Sequence, residues 1–275
     1  MTPEQRVLYS GSQRLLPVLD RLAPARAAGF DAVSLWPSDV RDADLAEVRD
    51  AVAAAGLVVS EIEVLCCWLP GQADAPPSQW DMLKWQTPER MLPMAQALGA
   101  HTISAAELFG LPFDGPAMAA SFAELCRRAA DHGLRVALEF VPSGGIFGLA
   151  EAWEVVQRAD APNGGLMVDS SHFQTSGSSL DLLASIPGER IYSVQLADVP
   201  ADADAQMVNK MQDRLMPGSG VIDFAAFMAA LSATGTTAPT GIEMFSAALD
   251  ALPPAQAALE CAQALDYCLS QGTPK

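Results

Sequence analysis

Four residues in the second half of the chain have the types and spacing to do chemistry together. They are Glu139 in "VALEF", Asp169 in "LMVDSSH", Gln195 in "SVQLAD" and Glu243 in "GIEMF". Each closes a short apolar or β-branched run, and each offers an oxygen donor. Side chains alternate along a strand. If Val136, Leu138 and Phe140 face an apolar layer, Ala137 and Glu139 face the other way; the same parity puts Ser193 with Gln195, and Gly241 with Glu243. Three carboxylates crowded at one rim repel unless a cation joins them. A divalent ion held by Glu139, Asp169, Gln195 and Glu243 is therefore expected. An all-oxygen set suits Mn²⁺ or Mg²⁺, with Co²⁺, Fe²⁺ or Zn²⁺ less preferred. The alternative is four solvated strand ends.

Those residues need strands ending at a common rim, and the chain supplies a repeating pattern. Strand-like runs at 6–11, 31–36, 57–65, 101–108, 135–142, 164–169, 190–199 and 240–246 alternate with Ala- and Leu-rich stretches of helical period. Gly29, Gly56, Gly99, Gly133 and Gly235 each follow such a stretch, where a helix stop is expected. Eight strand–helix units in one chain predict an α/β fold, a (β/α)8 TIM barrel, as a single domain over residues 1–275. A doubly wound sheet is the competing architecture, but no Gly-rich phosphate loop follows any strand. Longer connections at 66–86, 108–117, 142–149 and 199–221 all follow strands, which places them on a barrel's catalytic face.

Bulk properties narrow the partners. Sixteen basic against 33 acidic residues give a formal net charge of −17. Such a surface repels phosphate backbones and anionic lipids, so neither nucleic acid nor membrane is an expected partner. No apolar run approaches the roughly 20 residues that span a bilayer, and the first residues lack the pattern of a signal peptide. A cytoplasmic protein is expected. The cysteines at 66, 67, 126, 261 and 268 form no C-x-x-C pair and are read as buried thiols.

The segments "ALEF", "VDSSH", "VQLAD", "RLMPGSG" and "GIEMF", in that order, resemble the xylose isomerase-like sugar phosphate isomerase/epimerase superfamily of TIM barrels. The resemblance covers nearly the whole chain. It implies one divalent metal on Glu139, Asp169 and Glu243, with Gln195 standing where most members have His. Relatives with Gln there include sugar-acid dehydratases similar to 3-dehydroshikimate dehydratase, which moves weight from simple epimerisation toward elimination. The resemblance also implies that His172 meets the substrate beside the metal, that Arg214 reaches it, and that Glu139 and Glu243 act as bases as well as ligands.

The chemistry expected is proton abstraction next to a carbonyl, leading to isomerisation, epimerisation or dehydration of a hydroxy-carbonyl small molecule. Glu107 and Glu63, with Glu61, are weaker candidates for substrate contacts, or else they pair with bases inside the barrel. Trp36, Trp68, Trp80, Trp85, Phe109, Phe113, Met207, Met211 and Met216 lie at strand ends or in the long loops. Around a mouth they favour an apolar or cyclic substrate; the alternative is lid packing or a homo-oligomer contact. Only Lys84, Lys210 and Arg214 bring positive charge there, so a phosphate is poorly served. His101 and His132 fall at the opposite ends of their elements and carry no expected role. Two other functions fit the fold: an endonuclease, which three histidines and the acidic charge oppose, and a non-catalytic small-molecule-binding barrel in which Gln195 marks a degenerate metal site.

Overall fold

The structure is a computed structural model describing residues 1–72, 74–204 and 214–272. Eight parallel strands close into a barrel in chain order: β1 (Arg6–Leu8), β2 (Ala32–Leu35), β3 (Val58–Leu65), β4 (Thr102–Ala106), β5 (Arg135–Glu139), β6 (Gly164–Asp169), β7 (Ile191–Leu196) and β8 (Thr240–Ile242). The helices are α1 (Val18–Ala27), α2 (Pro37–Val40), α3 (Leu45–Ala54), α4 (Pro88–Ala97), α5 (Gly115–Ala130), α6 (Leu149–Ala159), α7 (Ser170–Thr175), α8 (Leu180–Ser185), α9 (Phe224–Ala233), α10 (Ala247–Asp250) and α11 (Pro254–Gln271). All five glycines expected as helix stops have positive φ, from 70° to 88°, a conformation that costs a side chain but not a glycine.

Strand parity sorts the core into two compartments. Val136, Leu138, Val194, Leu196, Ile242 and Met244 join the large apolar cluster between barrel and helices. Ala137, Met167 and Tyr192 form a separate small cluster inside the barrel, and Val7, Tyr9 and Ala32 another. Small inward residues leave room for large ones: a Cβ on Gly165 would stand 2.7 Å from the ring of Tyr192.

Some expectations need correction. β1 stops at Leu8 and β8 at Ile242, so Glu243 lies one residue beyond its strand, as Glu107 does beyond β4. Strict alternation from Glu61 and Glu63 inward puts Val58, Ile62 and Val64 toward the helices; Ile62 is there, but with Val59 and Leu65 in place of Val58 and Val64. Register shifts against β2 and β4 break the simple alternation, and Val58 is 42% exposed. Glu61 and Glu63 point into the barrel nonetheless, as their hydrogen bonds to β7 show.

Candidate active site

β6 delivers Asp169 to the barrel rim, and the same residue starts α7. Its Oδ1 accepts from the backbone N–H groups of Ser171 at 2.6 Å and His172 at 3.1 Å, an N-cap. The cap turns the chain so that His172 comes back over the rim. One carboxylate oxygen of Asp169 therefore caps α7, and the other pairs with Arg214. Asp169 pairs with Gln195 in the sheet register, which sets the two at one level.

Glu139, Asp169 and His172 each offer a ligand atom, all within 4.8 Å of one another. His172 Nε2 lies 3.5 Å from Glu139 Oε1. Arg214 enters from the connection after β7. Its Nη1 stands 2.9 Å from Asp169 Oδ2 and 2.9 Å from Glu243 Oε2, and donates to the Glu243 carbonyl at 3.0 Å. Its Nη2 lies 3.5 Å from His172 Nε2. The guanidinium also sits 4.8 Å above the ring of Phe245, which stacks on Trp36.

The electrostatics follow from packing acids around one guanidinium. Burial raises the Asp169 carboxyl, but Arg214, His172 and the capping N–H groups outweigh it, so the net direction is down. Glu243 is pushed up to about 8, by burial first and then by repulsion from Asp169 and Glu139, with Arg214 opposing. Burial, followed by repulsion from Glu243 and Glu61, holds Glu63 well above the usual range. Among the described residues the rim holds more carboxylates than cations, an arrangement that favours a bound cation.

Two atoms have the chemistry of unfilled ligands. Among the described residues, Gln195 Oε1 is buried and accepts no hydrogen bond, and neither does Asp169 Oδ2, which pairs with Arg214. Gln195 Nε2 donates to Glu63 Oε2 at 2.7 Å. The grouped donors of Glu139, Asp169 and His172 fit a divalent cation, with Gln195 beside Asp169 in the sheet register and Glu243 joined to Asp169 through Arg214.

The remaining sequence candidates sit elsewhere. Glu107 is not free to meet a substrate: its carboxylate accepts from the backbone of Phe109, Gly110, Leu111 and Gly145, tying the loop after β4 to the loop after β5. Trp68 packs its ring edge-on to Phe122, away from the mouth, and its indole N–H donates to the Ala106 carbonyl at 3.0 Å. Trp85 lies under Arg41, whose guanidinium is 5.0 Å from the ring. Met207, Lys210 and Met211 lie outside the described residues.

Sequence reasoning assigned nothing to Asp198. Its buried carboxylate accepts from Val199, Gly218, Gly220 and Ile222, anchoring the segment that carries Arg214. The hint was there in "QLADVP": an acid just past an apolar strand, followed by a Gly-rich loop.

A closed eight-stranded parallel barrel with an acidic, oxygen-rich cluster at the C-terminal ends of its later strands defines the class. Residues 22–268 match the family described as xylose isomerase-like TIM barrel, and the chain belongs to it. A 3-dehydroshikimate dehydratase of Pseudomonas aeruginosa is 30% identical over 258 residues, covering 90% of this chain and 39% of the relative. The chain thus spans about two fifths of that dehydratase's length. An inosose isomerase of Bacillus subtilis is 32% identical over 124 residues, 44% of each chain. Among solved structures, a xylose isomerase-like TIM barrel/4-hydroxyphenylpyruvate dioxygenase fusion protein superposes at TM-score 0.85 and 25% identity, over 98% of this chain and 43% of that one. The IOLI protein with a binding zinc atom superposes at TM-score 0.85 and 19% identity, over 98% of this chain and all of that one, a likeness of fold.

Proposed function

We propose that this chain is a divalent-metal-dependent enzyme of the lyase or isomerase type, and that its reaction is the dehydration of a cyclic hydroxy-ketone. The observation that carries the reading is the grouping of Glu139, Asp169 and His172, with Gln195 next to Asp169 in the sheet register and Glu243 joined to Asp169 through Arg214. Glu139, Asp169, Gln195 and Glu243 would hold the ion, Mn²⁺ or Mg²⁺ by their oxygen chemistry. When bound, the ion supplies Lewis acidity toward a carbonyl oxygen. His172 would take the proton from the carbon next to that carbonyl and return it to the β-hydroxyl as the C–O bond breaks and water leaves, with Glu139, 3.5 Å away, orienting the imidazole. Arg214, braced by the Glu243 carbonyl, holds an oxygen of the substrate. The stacked pair Trp36 and Phe245 gives a flat apolar wall suited to a ring. Similarity to a dehydratase over 90% of the chain favours elimination over isomerisation. Five unpaired cysteines suit a cytoplasmic setting.

The test is metal content of protein purified without chelator, together with turnover of 3-dehydroshikimate, whose loss of water is followed by the absorbance of the aromatic product. About one divalent ion per chain, lost in Glu243→Gln, with turnover that a chelator abolishes, is the expected result. A chain that binds no divalent ion even after soaking in Mn²⁺ overturns the reading and leaves a non-catalytic barrel. Metal with turnover of an inosose only would make it an isomerase.

A further inference from the structure

The interior of the barrel is crossed by two polar links between β3 and β7, strands on opposite sides. In the lower, Ser193 Oγ donates to Glu61 Oε1 at 2.6 Å, with the Tyr9 hydroxyl 2.6 Å from the same Ser193 oxygen. In the upper, Gln195 Nε2 donates to Glu63 Oε2 at 2.7 Å. Glu63 is itself held. Its Oε1 accepts from the Ser34 hydroxyl of β2, and Ser34 Oγ accepts from the Ser10 backbone N–H at 2.8 Å.

A glutamine amide presents two chemically different ends. Its oxygen can ligate a metal, whereas its NH₂ group has no lone pair to give. Rotation by about 180° exchanges them at almost no steric cost, so something must choose. Here the NH₂ end is claimed by Glu63, and the oxygen is left buried with no hydrogen-bond partner among the described residues; in the sheet register Gln195 is the neighbour of Asp169.

We propose that Glu63 is a positioning residue for the metal centre: by accepting the Gln195 N–H it selects the amide orientation that offers Oε1 to the ion. The inference rests on the metal reading given above and deepens it. Glu63 acts through Gln195 and touches neither metal nor substrate. The arrangement is the one by which a carboxylate behind a ligating histidine fixes which nitrogen faces a metal, transposed to an amide. It follows that histidine can replace Gln195 without redesign, with one ring nitrogen donating to Glu63 and the other free to ligate.

The test is Mn²⁺ affinity by equilibrium dialysis for the intact chain and three variants, with metal-free melting temperature as the check on folding. Glu63→Met keeps the volume but removes the acceptor, and is expected to weaken Mn²⁺ binding 10- to 100-fold, the usual range for such outer partners. Glu63→Gln removes the charge but keeps an acceptor oxygen, and is expected to bind within about 3-fold of the parent. In a Gln195→Ala background, Glu63→Met is expected to change affinity no further. Equal losses in Glu63→Met and Glu63→Gln would make the role one of charge and overturn the proposal. So would a loss in Glu63→Met that persists in the Gln195→Ala background. If Glu63→Met fails to fold, the Gln195→His background decides with a variant that has no acceptor: affinity retained with Glu63 and lost in Glu63→Leu/Gln195→His supports the proposal, and indifference to Glu63 overturns it. A parent chain that binds no Mn²⁺ overturns the metal reading, and this inference with it; normal binding by the parent and by Glu63→Met alike overturns only this inference.

Discussion

Arg214 and Asp169 form a buried ion pair at 2.9 Å, Asp169 from the end of β6 and Arg214 from the connection after β7. The pair does more than hold a loop. It places a fixed positive charge beside the carboxylates expected to hold a metal, so arginine and ion share one pool of negative charge. Removing one partner of a buried pair strands the other and costs roughly 3–5 kcal/mol. Arg214→Met should lower the metal-free unfolding free energy by about that amount. Added Mn²⁺ should then raise the melting temperature of the variant more than that of the parent, since it replaces the missing charge. Calorimetric melts with and without the ion check both halves.

A pH dependence follows from Glu61. Burial, only partly offset by bonds from Ser193 and Tyr9, raises its carboxyl from 4.5 to about 7. The folded state thus holds this proton more tightly than the unfolded chain does. Its contribution to stability is full below the unfolded value and is lost as pH climbs through about 7. Glu243, raised to about 8, extends the decline in the same direction. Metal-free protein should therefore lose stability between about pH 5 and 8, and Glu61→Gln should flatten that slope. Urea midpoints across the range measure it; an unchanged slope in the variant would contradict the assignment.

Gly11 gives a steric handle on Glu243. A Cβ there would stand 2.9 Å from Glu243 Cγ and 3.1 Å from Phe245 Cζ. Gly11→Ala should push the carboxylate off its position and weaken Mn²⁺ binding about 10-fold, at a folding cost of about 1–3 kcal/mol, typical of overpacking. Dialysis and a denaturant titration separate the two effects.

The carboxylate of Glu107 serves four backbone donors in two loops. Glu107→Ala leaves those N–H groups without their acceptor, and each costs about 1–3 kcal/mol if it stays buried. The loops should loosen instead. Amide hydrogen exchange at Phe109, Gly110, Leu111 and Gly145 should rise, while that of β5 stays slow. Unchanged protection would mean other groups hold the loops.

What could be read in the chain, and what could not, divides along the range of the interactions. The eight alternations and the glycine stops are local, and they specify the barrel. Parity within a strand is also local, which is why Glu139, Gln195 and Glu243 could be assigned inward from their apolar neighbours. β3 defeated parity for its outer residues because its register shifts answer to β2 and β4. The destination of Glu107 was hidden because one of its donors, Gly145, sits 38 residues away in another loop. Trp68 resembled a mouth residue because a loop after a strand is a mouth by default, and only Phe122 on α5 reveals that its ring turns back into the helix layer. The links of Glu61 to Ser193 and Glu63 to Gln195 span 132 residues each, and nothing in either local sequence announces them.

Those two cross-links carry a consequence for how such a barrel can be divided. A (β/α)8 chain is open in principle to being split after its fourth strand–helix unit into two fragments that reassemble. Here a cut between α5 and β5 would leave Glu61 and Glu63 on one fragment and Ser193 and Gln195 on the other. Each half alone would show water a face on which acids or their donors stand amid apolar strands. Neither piece has the makings of an autonomous unit, and the polar rungs that waste stability within a half become the recognition code by which the right halves would find each other.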